Sequence, residues 1–367
     1  MPRRKSSSLS GKLARIPDRN KSSFKNQTRH LKSLLPLLSR HAQAFWYVIT
    51  VVLPVILRTG QRPVIFSKYS GIGDIICTFP AALELKQRHP RATFIYNCHP
   101  DYACLPRLGG VATRVTSLLP IGVIGYWYRF LLAGFYHFSS DDDNPGVVPS
   151  EVYIKDFGRQ FGLMLDDHHP RLQNDPAVIS GIKARLANHG LPPGPMVLIH
   201  PGPSWPVREW PEESWAALVR ELRRHGCTNI IQLGTSHHLA LGAVGAAALP
   251  EVLSLVDQLT LAETVALISL GDLFVGIDSG LLHIAVAVQT PAAGLWGPTS
   301  AHLRFSRANA RSFVTSNVEC QGCHHRVPRL HWMTGCPHDI RCMKNISVAA
   351  VLSACLSRLS LAKPGQT

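Results

Sequence analysis

A single carboxylate, Asp74, follows two glycines and precedes an apolar run in the stretch SGIGDIICTFP, which begins at Ser70. Gly71 and Gly73 would let the backbone turn sharply and let a ligand approach closely. A carboxylate at such a turn can take a proton from a hydroxyl group, which is the role of a general base. Aspartate is also a favoured residue for capping the start of a helix. Both roles of Asp74 stay open from these residues alone.

A second stretch, IHPGPSWPVREWPEESW at residues 199–215, places Ser204 and Arg208 in a proline-rich loop between a strand pattern and a helix pattern. The N-terminus of a helix carries a partial positive charge and free N–H groups. Together with an arginine it could receive an anion such as a phosphate. The alternative is a plain loop with a surface arginine.

A third stretch, VGIDSGLLHIA at residues 275–285, forms a turn from Asp278, Ser279 and Gly280 and then a helix pattern. Backbone N–H groups in such a turn can hold a phosphate. His283 falls in the first turn of that helix. Taken alone, His283 would be interpreted as a histidine on a helix face with its hydrogen bonds satisfied.

These stretches lie where short apolar runs give way to helical patterns, in two series separated by the linker LPPGP at residues 191–195. Strand-helix alternation of this kind predicts two doubly wound α/β domains, at residues 61–190 and 191–367. In the first series, Pro80 predicts a bend or a helix that starts near Thr78, with Leu83 on its buried face. Ligands of doubly wound sheets bind beyond the carboxyl ends of the strands, which is where the three stretches fall. The predicted strands are residues 64–68, 92–97, 196–200, 229–234, 273–277 and 292–296.

The chain begins with a basic arm, residues 1–41, which holds eleven Lys and Arg and one acid and so carries +10 of the net charge of +15. An arm of this composition is typical of disordered segments that meet an anionic surface. Segment 42–60 follows, of which residues 42–57 are uncharged. It lies too far from Met1 for a signal peptide, and its apolar run is short for a membrane span and contains Pro54.

We expect segment 42–60 to lie in a membrane interface, with Phe45, Trp46 and Tyr47 at the depth of the lipid headgroups. The protein would then be cytoplasmic and peripheral on the inner face of the cell membrane. A short membrane span and a helix packed on the globular body are the alternatives. A second aromatic region, residues 121–138, places Tyr126 and Trp127 where they could face a bound lipid or sugar, although a buried core helix would also fit.

The three stretches together, in this order and spacing over about residues 63–345, resemble glycosyltransferase family 9, the heptosyltransferase-like enzymes of lipopolysaccharide assembly. The resemblance extends through GLWGPTSAHLRF. It implies a GT-B fold, in which two Rossmann-like domains face each other across a cleft. It further implies catalysis without a metal, inversion at the sugar carbon, and a nucleotide-activated heptose as donor.

Carried onto this chain, the resemblance makes Asp74 the general base and places Arg208 near the donor phosphates. Ser204 lies in the same loop. The resemblance also implies a donor-binding turn and a closing loop. The turn consists of Asp278, Ser279, Gly280 and His283, and the loop of Gly297, Pro298 and Thr299. One departure concerns the donor: the family commonly has a glutamate near the nucleoside, where this chain has His237 and His238.

Four cysteines, Cys320, Cys323, Cys336 and Cys342, cluster near the C-terminus. Their spacing suggests a closed thiolate site for structural zinc, with iron second, and nearby His324, His325 and His338 could replace a cysteine. Unpaired thiols and disulfides are the alternatives. Many sequences of the resembling family carry a similar cluster, which argues for a structural role.

We therefore predict an inverting, metal-independent glycosyltransferase that moves a sugar, expected to be heptose, from a nucleotide-sugar to a glycolipid or other cell-envelope glycan. A nucleotide-sugar epimerase on the same fold is one alternative. A nucleic-acid-binding protein with a zinc module is another, supported by the basic arm and the cysteines. A nucleic-acid partner is not expected, because Phe24 is the arm's only aromatic residue for base stacking.

Overall fold

The computed structural model describes residues 39–117, 124–125, 128–139, 152–165, 169–236, 249–305, 313–325 and 336–361. Four predicted residues, Tyr126, Trp127, His237 and His238, lie outside the described residues, as does most of the basic arm.

The first domain contains a parallel four-stranded sheet in the order β3-β2-β1-β4. Its central strand, β1, pairs with β2 from Val64↔Phe94 to Ser67↔Asn97. All residues of β1 and β2 are buried, as expected for parallel strands covered on both faces. The strands are β1 Val64–Ser67, β2 Phe94–Asn97, β3 Arg114–Thr116 and β4 Gly134–His137.

The predicted bend at Pro80 is a break between two helices, α2 Ile72–Cys77 and α3 Phe79–Gln87, joined at Thr78. Proline is tolerated in the first turn of a helix because the N–H that it lacks would have no helical partner there. The prediction for Leu83 is wrong: its side chain is 39% exposed, whereas Leu85 is buried. The break restarts the helix and shifts the buried face.

The second domain contains a parallel six-stranded sheet in the order β10-β9-β8-β5-β6-β7. The four long strands predicted from the sequence are present, and β5, β8 and β9 adjoin one another at its centre. The strands are β5 Met196–His200, β6 Asn229–Gln232, β7 Leu253–Ser254, β8 Leu273–Ile277, β9 Ala292–Trp296 and β10 Val314–Thr315.

The remaining helices cover the two sheets. Thr260 and Glu263 form the capping box that starts α8, since the Thr260 hydroxyl accepts from the Glu263 N–H and the Glu263 carboxylate accepts from the Thr260 N–H. Helix α6 packs against α8 and so lies beside the second sheet, although it precedes residue 191. These helices are α4 Cys104–Leu108, α5 Tyr153–Arg159, α6 Pro176–Asn188, α7 Glu212–Arg224, α8 Leu261–Leu270, α9 Gly280–Ala287, α10 Ala301–Arg304, α11 Arg341–Lys344 and α12 Val348–Leu361.

The two domains meet where α2 packs against α9. Two glycines allow this close approach. A Cβ atom added to Gly73 would lie 2.6 Å from Cδ2 of His283, and one added to Gly280 would lie 2.6 Å from Cβ of Ile72. Each helix therefore presents a glycine to a side chain of the other, so the axes can come closer than side chains on both would permit.

The apolar segment forms helix α1, Ser39–Thr59, which is long and apolar enough to cross a membrane by length and composition, with a third of its most apolar window buried. One face packs on the first sheet: Val48, Val52 and Val55 join a core cluster with Ile65 and Ile95. The packed-helix alternative is therefore correct for this face.

The expectation for Tyr47 is wrong, because Tyr47 points inward. It is 8% exposed, and its hydroxyl lies 3.2 Å from Oγ1 of Thr116. Phe45 and Trp46 lie on the other face and are 56% and 67% exposed. A turn of 100° per residue places neighbouring aromatic residues on different sides of the helix.

The α2–α9 contact predicts opposite effects for two alanine substitutions. Gly280→Ala puts a methyl group against Ile72, and overpacking of this kind lowers the free energy of unfolding by about 1–3 kcal/mol. Gly181→Ala in α6 meets no atom within 4 Å. It should raise the free energy of unfolding by up to about 1 kcal/mol, because alanine favours the helix over glycine. Urea denaturation of both variants makes the comparison, and equal effects would contradict the packing described.

Candidate functional site

The predicted site residues come together around the α2–α9 contact, at the carboxyl ends of the strands. Residues 70–74 follow β1, and the turn Asp278–Gly280 follows β8 in the facing domain. The loops after β5 and β9 carry Arg208 and Thr299. Side chains from both sheets thus face one junction, as expected for ligand sites of doubly wound folds.

Asp74 lies in the first turn of α2 and is half-buried, and both of its carboxylate oxygens accept hydrogen bonds. The Gly71 N–H donates to Oδ2 at 3.2 Å, which is the capping contact anticipated as an alternative role. The Tyr153 hydroxyl donates to Oδ1 at 3.0 Å. A carboxylate oxygen has two lone-pair sites, so capping leaves room for a further donor.

Sequence reasoning missed two residues near Asp74: Tyr153, which donates a hydrogen bond to it, and Arg304, which packs on the ring of Tyr153. Tyr153, on α5, is 3% exposed, and Arg304, on α10 of the second domain, is 7% exposed. The guanidinium carbon of Arg304 lies 4.5 Å from the centroid of the Tyr153 ring. Arg304 stands in the AHLRF segment and could have been singled out there, whereas no local motif marks Tyr153.

Lys68 was also missed. It follows β1 directly and is 3% exposed, with its ammonium nitrogen 5.1 Å from the centroid of the Phe157 ring. Its position at the carboxyl end of a buried strand was the signal that could have found it.

Asp278 is a buried carboxylate in the second domain's half of the site, and the polar groups around it interact with its side chain. The nearest oxygen, Oδ2, lies 3.2 Å from Nη1 of Arg208 and accepts a hydrogen bond from the Thr299 hydroxyl at 2.5 Å. Burial acts to raise the pKa of Asp278, but the guanidinium groups of Arg208 and Arg304 together with the Thr299 hydroxyl lower it overall. Asp278 is therefore held as a carboxylate.

His283 lies inside the contact between the domains. Its Nδ1 is 3.6 Å from Sγ of Cys77, and its ring centroid is 4.6 Å from that of Phe305. Burial lowers the pKa of His283 to about 4, although the carboxylate of Asp278 acts in the opposite direction. The imidazole is thus neutral at neutral pH, so His283 adds no cation to the site.

Three serines line the junction. The Ser204 hydroxyl donates to the backbone carbonyl of Asp278 at 3.3 Å. Among the described residues, the hydroxyl oxygens of Ser70 and Ser279 are buried and have no hydrogen-bond partner. Buried polar atoms are almost always paired in folded proteins. These two hydroxyls, one on each side of the α2–α9 contact, are therefore candidates for binding a ligand.

The closing loop, residues 297–299, is held by the segment that contains the first two clustered cysteines. The Gly322 N–H donates to the Gly297 carbonyl at 3.0 Å, and the His324 N–H donates to the Pro298 carbonyl at 2.8 Å. Thr299 at the end of this loop bonds to Asp278. A continuous path of contacts thus joins the cysteine segment to the predicted donor site.

None of the four clustered cysteines takes part in a disulfide bond in the described structure. Burial raises the pKa of Cys342 to about 12, with smaller contributions in the same direction from the thiols of Cys320, Cys323 and Cys336. Across the described ranges, no group of three or more His, Cys, Asp or Glu side chains is close enough to hold a metal ion. The predicted metal site thus stays a prediction.

Comparison with known proteins finds similarity to the same family that the sequence motifs resemble. The family model for glycosyltransferase family 9 (heptosyltransferase) matches residues 154–333. Lipopolysaccharide heptosyltransferase 1 of Pseudomonas aeruginosa is 27% identical over 134 residues, which are 35% of this chain and 36% of that protein. Lipooligosaccharide heptosyltransferase 2 of Haemophilus influenzae is 35% identical over 112 residues, 29% and 32% of the two chains. These alignments span about a third of the curated relatives' length.

The fold is similar to that of a solved heptosyltransferase. The dodecameric iron-containing heptosyltransferase TibC, in complex with ADP-D-beta-D-heptose, matches with a TM-score of 0.62 and 19% identity over 82% of this chain and 77% of that one. The GT-B fold predicted from the resemblance is confirmed by this likeness.

The lowered pKa of His283 predicts a pH-dependent stability. Between the ordinary histidine pKa of about 6.5 and about 4, the unfolded chain binds a proton that the folded chain does not. The free energy of unfolding should therefore fall as the pH falls through this range, by about 3 kcal/mol from this group. His283→Gln should remove that part of the pH dependence, measured by urea denaturation at several pH values. Exposed His225→Gln is the control, and an unchanged slope in His283→Gln would contradict the assignment.

Proposed function

We propose that this chain, which resembles glycosyltransferase family 9 in its motifs, its family-model match and its fold, is an inverting glycosyltransferase that needs no catalytic metal. It transfers a sugar, expected to be heptose, from a nucleotide-sugar to a lipopolysaccharide-type or other cell-envelope glycan. One observation carries the proposal. At the contact between α2 and α9, the first domain contributes the carboxylate of Asp74, and the second domain contributes Arg208 and the N-terminus of α9.

The donor's diphosphate is proposed to bind on the second domain's side. Its negative charge grows as the bond to the sugar breaks, so the site must supply positive potential. Arg208 is a cation, and α9, which has eight residues, is preceded by the N-cap residue Ser279, whose side chain makes no capping bond. The N–H groups of α9 and the Ser279 hydroxyl are then available to the phosphates. The complex of TibC with ADP-D-beta-D-heptose supports an adenine nucleotide of this class as donor.

The acceptor is proposed to bind on the first domain's side, where the glycine turn at Gly71 and Gly73 leads into Asp74. As the acceptor hydroxyl oxygen forms a bond to the anomeric carbon, Asp74 takes its proton, and the bond to the diphosphate breaks on the opposite face of the sugar. A single displacement of this kind inverts the anomeric configuration. The lipopolysaccharide heptosyltransferase among the relatives supports a lipopolysaccharide-type acceptor.

Asp74→Asn tests the base assignment. Asparagine caps a helix about as well as aspartate, so the free energy of unfolding should change little. It cannot accept the proton, so turnover with ADP-heptose and a lipopolysaccharide acceptor should fall by roughly 10²–10⁴ while ADP binding persists. Arg208→Ala is the contrasting variant, with ADP affinity reduced about ten- to a hundredfold. A folded Asp74→Asn protein with near-normal turnover would falsify the base role and leave Asp74 as a helix cap.

We also propose that the protein is cytoplasmic and associates peripherally with the inner face of the membrane. Helix α1 carries large apolar residues on two faces, yet only one of these faces packs on the protein. On the other face Phe45, Trp46 and Leu57 are 56%, 67% and 83% exposed. An amphipathic segment with aromatic residues and neighbouring basic charge binds anionic lipid surfaces. The arm at residues 1–41, with its charge of +10, precedes this face directly.

Serine substitutions on the outer face of α1 test membrane association. Trp46→Ser combined with Leu57→Ser removes two apolar contacts with lipid and should weaken binding to phosphatidylserine-containing vesicles at least about tenfold. Met164→Ser, at a side chain that is 96% exposed, is the matched control and should bind normally. Unchanged sedimentation of the double variant with vesicles would contradict the proposal.

A structural metal at Cys320, Cys323, Cys336 and Cys342, zinc or iron, is a further part of the proposal. Thiolates are the ligands that both metals accept, and the thiols of Cys320, Cys323 and Cys336 act, after burial, to raise the pKa of Cys342. TibC is an iron-containing protein of similar fold. The role would be structural: to fix the segment whose N–H groups hold the closing loop at Gly297 and Pro298.

Metal analysis of protein purified without metal-affinity resin should find about one equivalent of zinc or iron. Cys323→Ser should lose this metal, and ADP binding should weaken because the closing loop loses its support. Cys355→Ser, at a buried cysteine of α12, is the control and should keep the metal. Absence of both metals from the native protein would overturn this part of the proposal.

A further inference from the structure

We propose that Tyr153 is a positioning residue for Asp74, and that Arg304 of the facing domain holds Tyr153 in that place. The inference rests on the proposed role of Asp74 as general base. It goes beyond that role by stating how the carboxylate is oriented and why its orientation depends on the second domain.

The direction of the hydrogen bond follows from chemistry. An ionised carboxylate only accepts, so the Tyr153 hydroxyl is the donor in its 3.0 Å contact with Oδ1. The Gly71 N–H holds the other oxygen, Oδ2. Two donors on two different oxygens fix the rotation of the carboxylate about both of its side-chain torsions. A carboxylate held this way keeps its remaining lone pairs in a fixed direction. A general base needs this, because its lone pair must point at the proton of the acceptor hydroxyl.

The ring of Tyr153 is in turn held by two contacts. The Phe157 ring lies with its centroid 4.6 Å away, and the Arg304 guanidinium lies 4.5 Å from the Tyr153 centroid. Tyr153 and Arg304 are both almost fully buried, so this cation–π contact is shielded from water and stronger than at an exposed site. The hydroxyl therefore has little freedom to leave Asp74.

The chain of contacts crosses between the domains. Asp74 belongs to α2 after β1, Tyr153 begins α5, and Arg304 ends α10 after β9 of the second sheet. Separation of the two domains would withdraw Arg304 from the Tyr153 ring. Closure of the cleft would thus set the orientation of the base at the moment when the donor, bound by the second domain, is in place.

The electrostatic surroundings of Asp74 bear on the test, because other groups also face it. These groups come from the helices and strands around Asp74 and are Cys77, Tyr96, Tyr102, Tyr153 and His283, with the cations Lys68 and Arg304 beside Cys77. Arg304 also acts on Asp278, so replacing it would disturb the donor side as well. The substitution Tyr153→Phe keeps the ring beneath Arg304 and removes only the hydroxyl.

Tyr153→Phe should lower kcat roughly tenfold and leave ADP binding unchanged, since the hydroxyl touches the base and not the donor side. Loss of the hydrogen bond disfavours the ionised carboxylate, so the acidic limb of the pH–rate profile should move to higher pH. Tyr136→Phe is the matched control: it removes a hydroxyl that lies 2.8 Å from Nε2 of His89 and should change neither kcat nor the pH profile.

A double-mutant cycle with Asp74→Asn separates positioning from a general structural effect. If Tyr153 acts through Asp74, Tyr153→Phe should cause almost no further loss of kcat in the Asp74→Asn background. Equal losses in both backgrounds, or an unshifted acidic limb, would overturn the inference while the base role stood. Normal turnover in Asp74→Asn alone would instead remove the proposed function on which the inference rests.

Discussion

The contact between α2 and α9 is the constraint on which the site depends. Gly73 lies against the His283 ring and Gly280 against Ile72, so neither helix could carry a larger side chain at its glycine without moving the other. Closely packed interiors transmit such changes instead of absorbing them. The same contact brings the carboxyl ends of two separate sheets together, and with them the turn at Asp74 and the turn at Asp278.

The charges at this junction are arranged so that opposite signs neutralise each other without a charged histidine. Asp278 is buried, and Arg208 and Arg304 keep it ionised in spite of its burial. His283 is neutral because burial outweighs the neighbouring carboxylate. Arg304 serves both halves of the site, since it acts on Asp278 and lies over the Tyr153 ring that binds Asp74. One arginine of the second domain therefore links the acid of the first domain to the anion-binding side.

Helix α1 has apolar side chains both on the face that packs against the first sheet and on the face that is exposed. Its inner face completes the core of the first sheet through Val48 and Val52, and its outer face leaves Trp46 and Leu57 exposed. Large apolar side chains on a helix are normally covered by the rest of the protein. The uncovered side and the basic arm that precedes it in the sequence are the features on which the proposed membrane association rests.

The sequence by itself determined the elements and the turns. Short apolar runs and the residues that bound them located the four longer strands of the second sheet, because these signals are local to a few residues. The residue types that follow the strands placed Asp74 at the carboxyl edge of the first predicted sheet, and Arg208 and Asp278 at the carboxyl edge of the second, because parallel strands end together. The residues alone indicated two doubly wound domains, and the GT-B fold was implied by the resemblance of these turns, in order and spacing, to glycosyltransferase family 9.

Only the tertiary structure decided which partners these residues have. Tyr153 and Asp74 are 79 positions apart in the chain, and Arg304 lies in the other domain, so no local pattern relates them. The inward direction of Tyr47 and the exposure of Leu83 depended on which face of a helix met the sheet, and in α3 on the break at Thr78. Such contacts are set by packing between distant segments, which a sequence pattern with a period of a few residues does not encode.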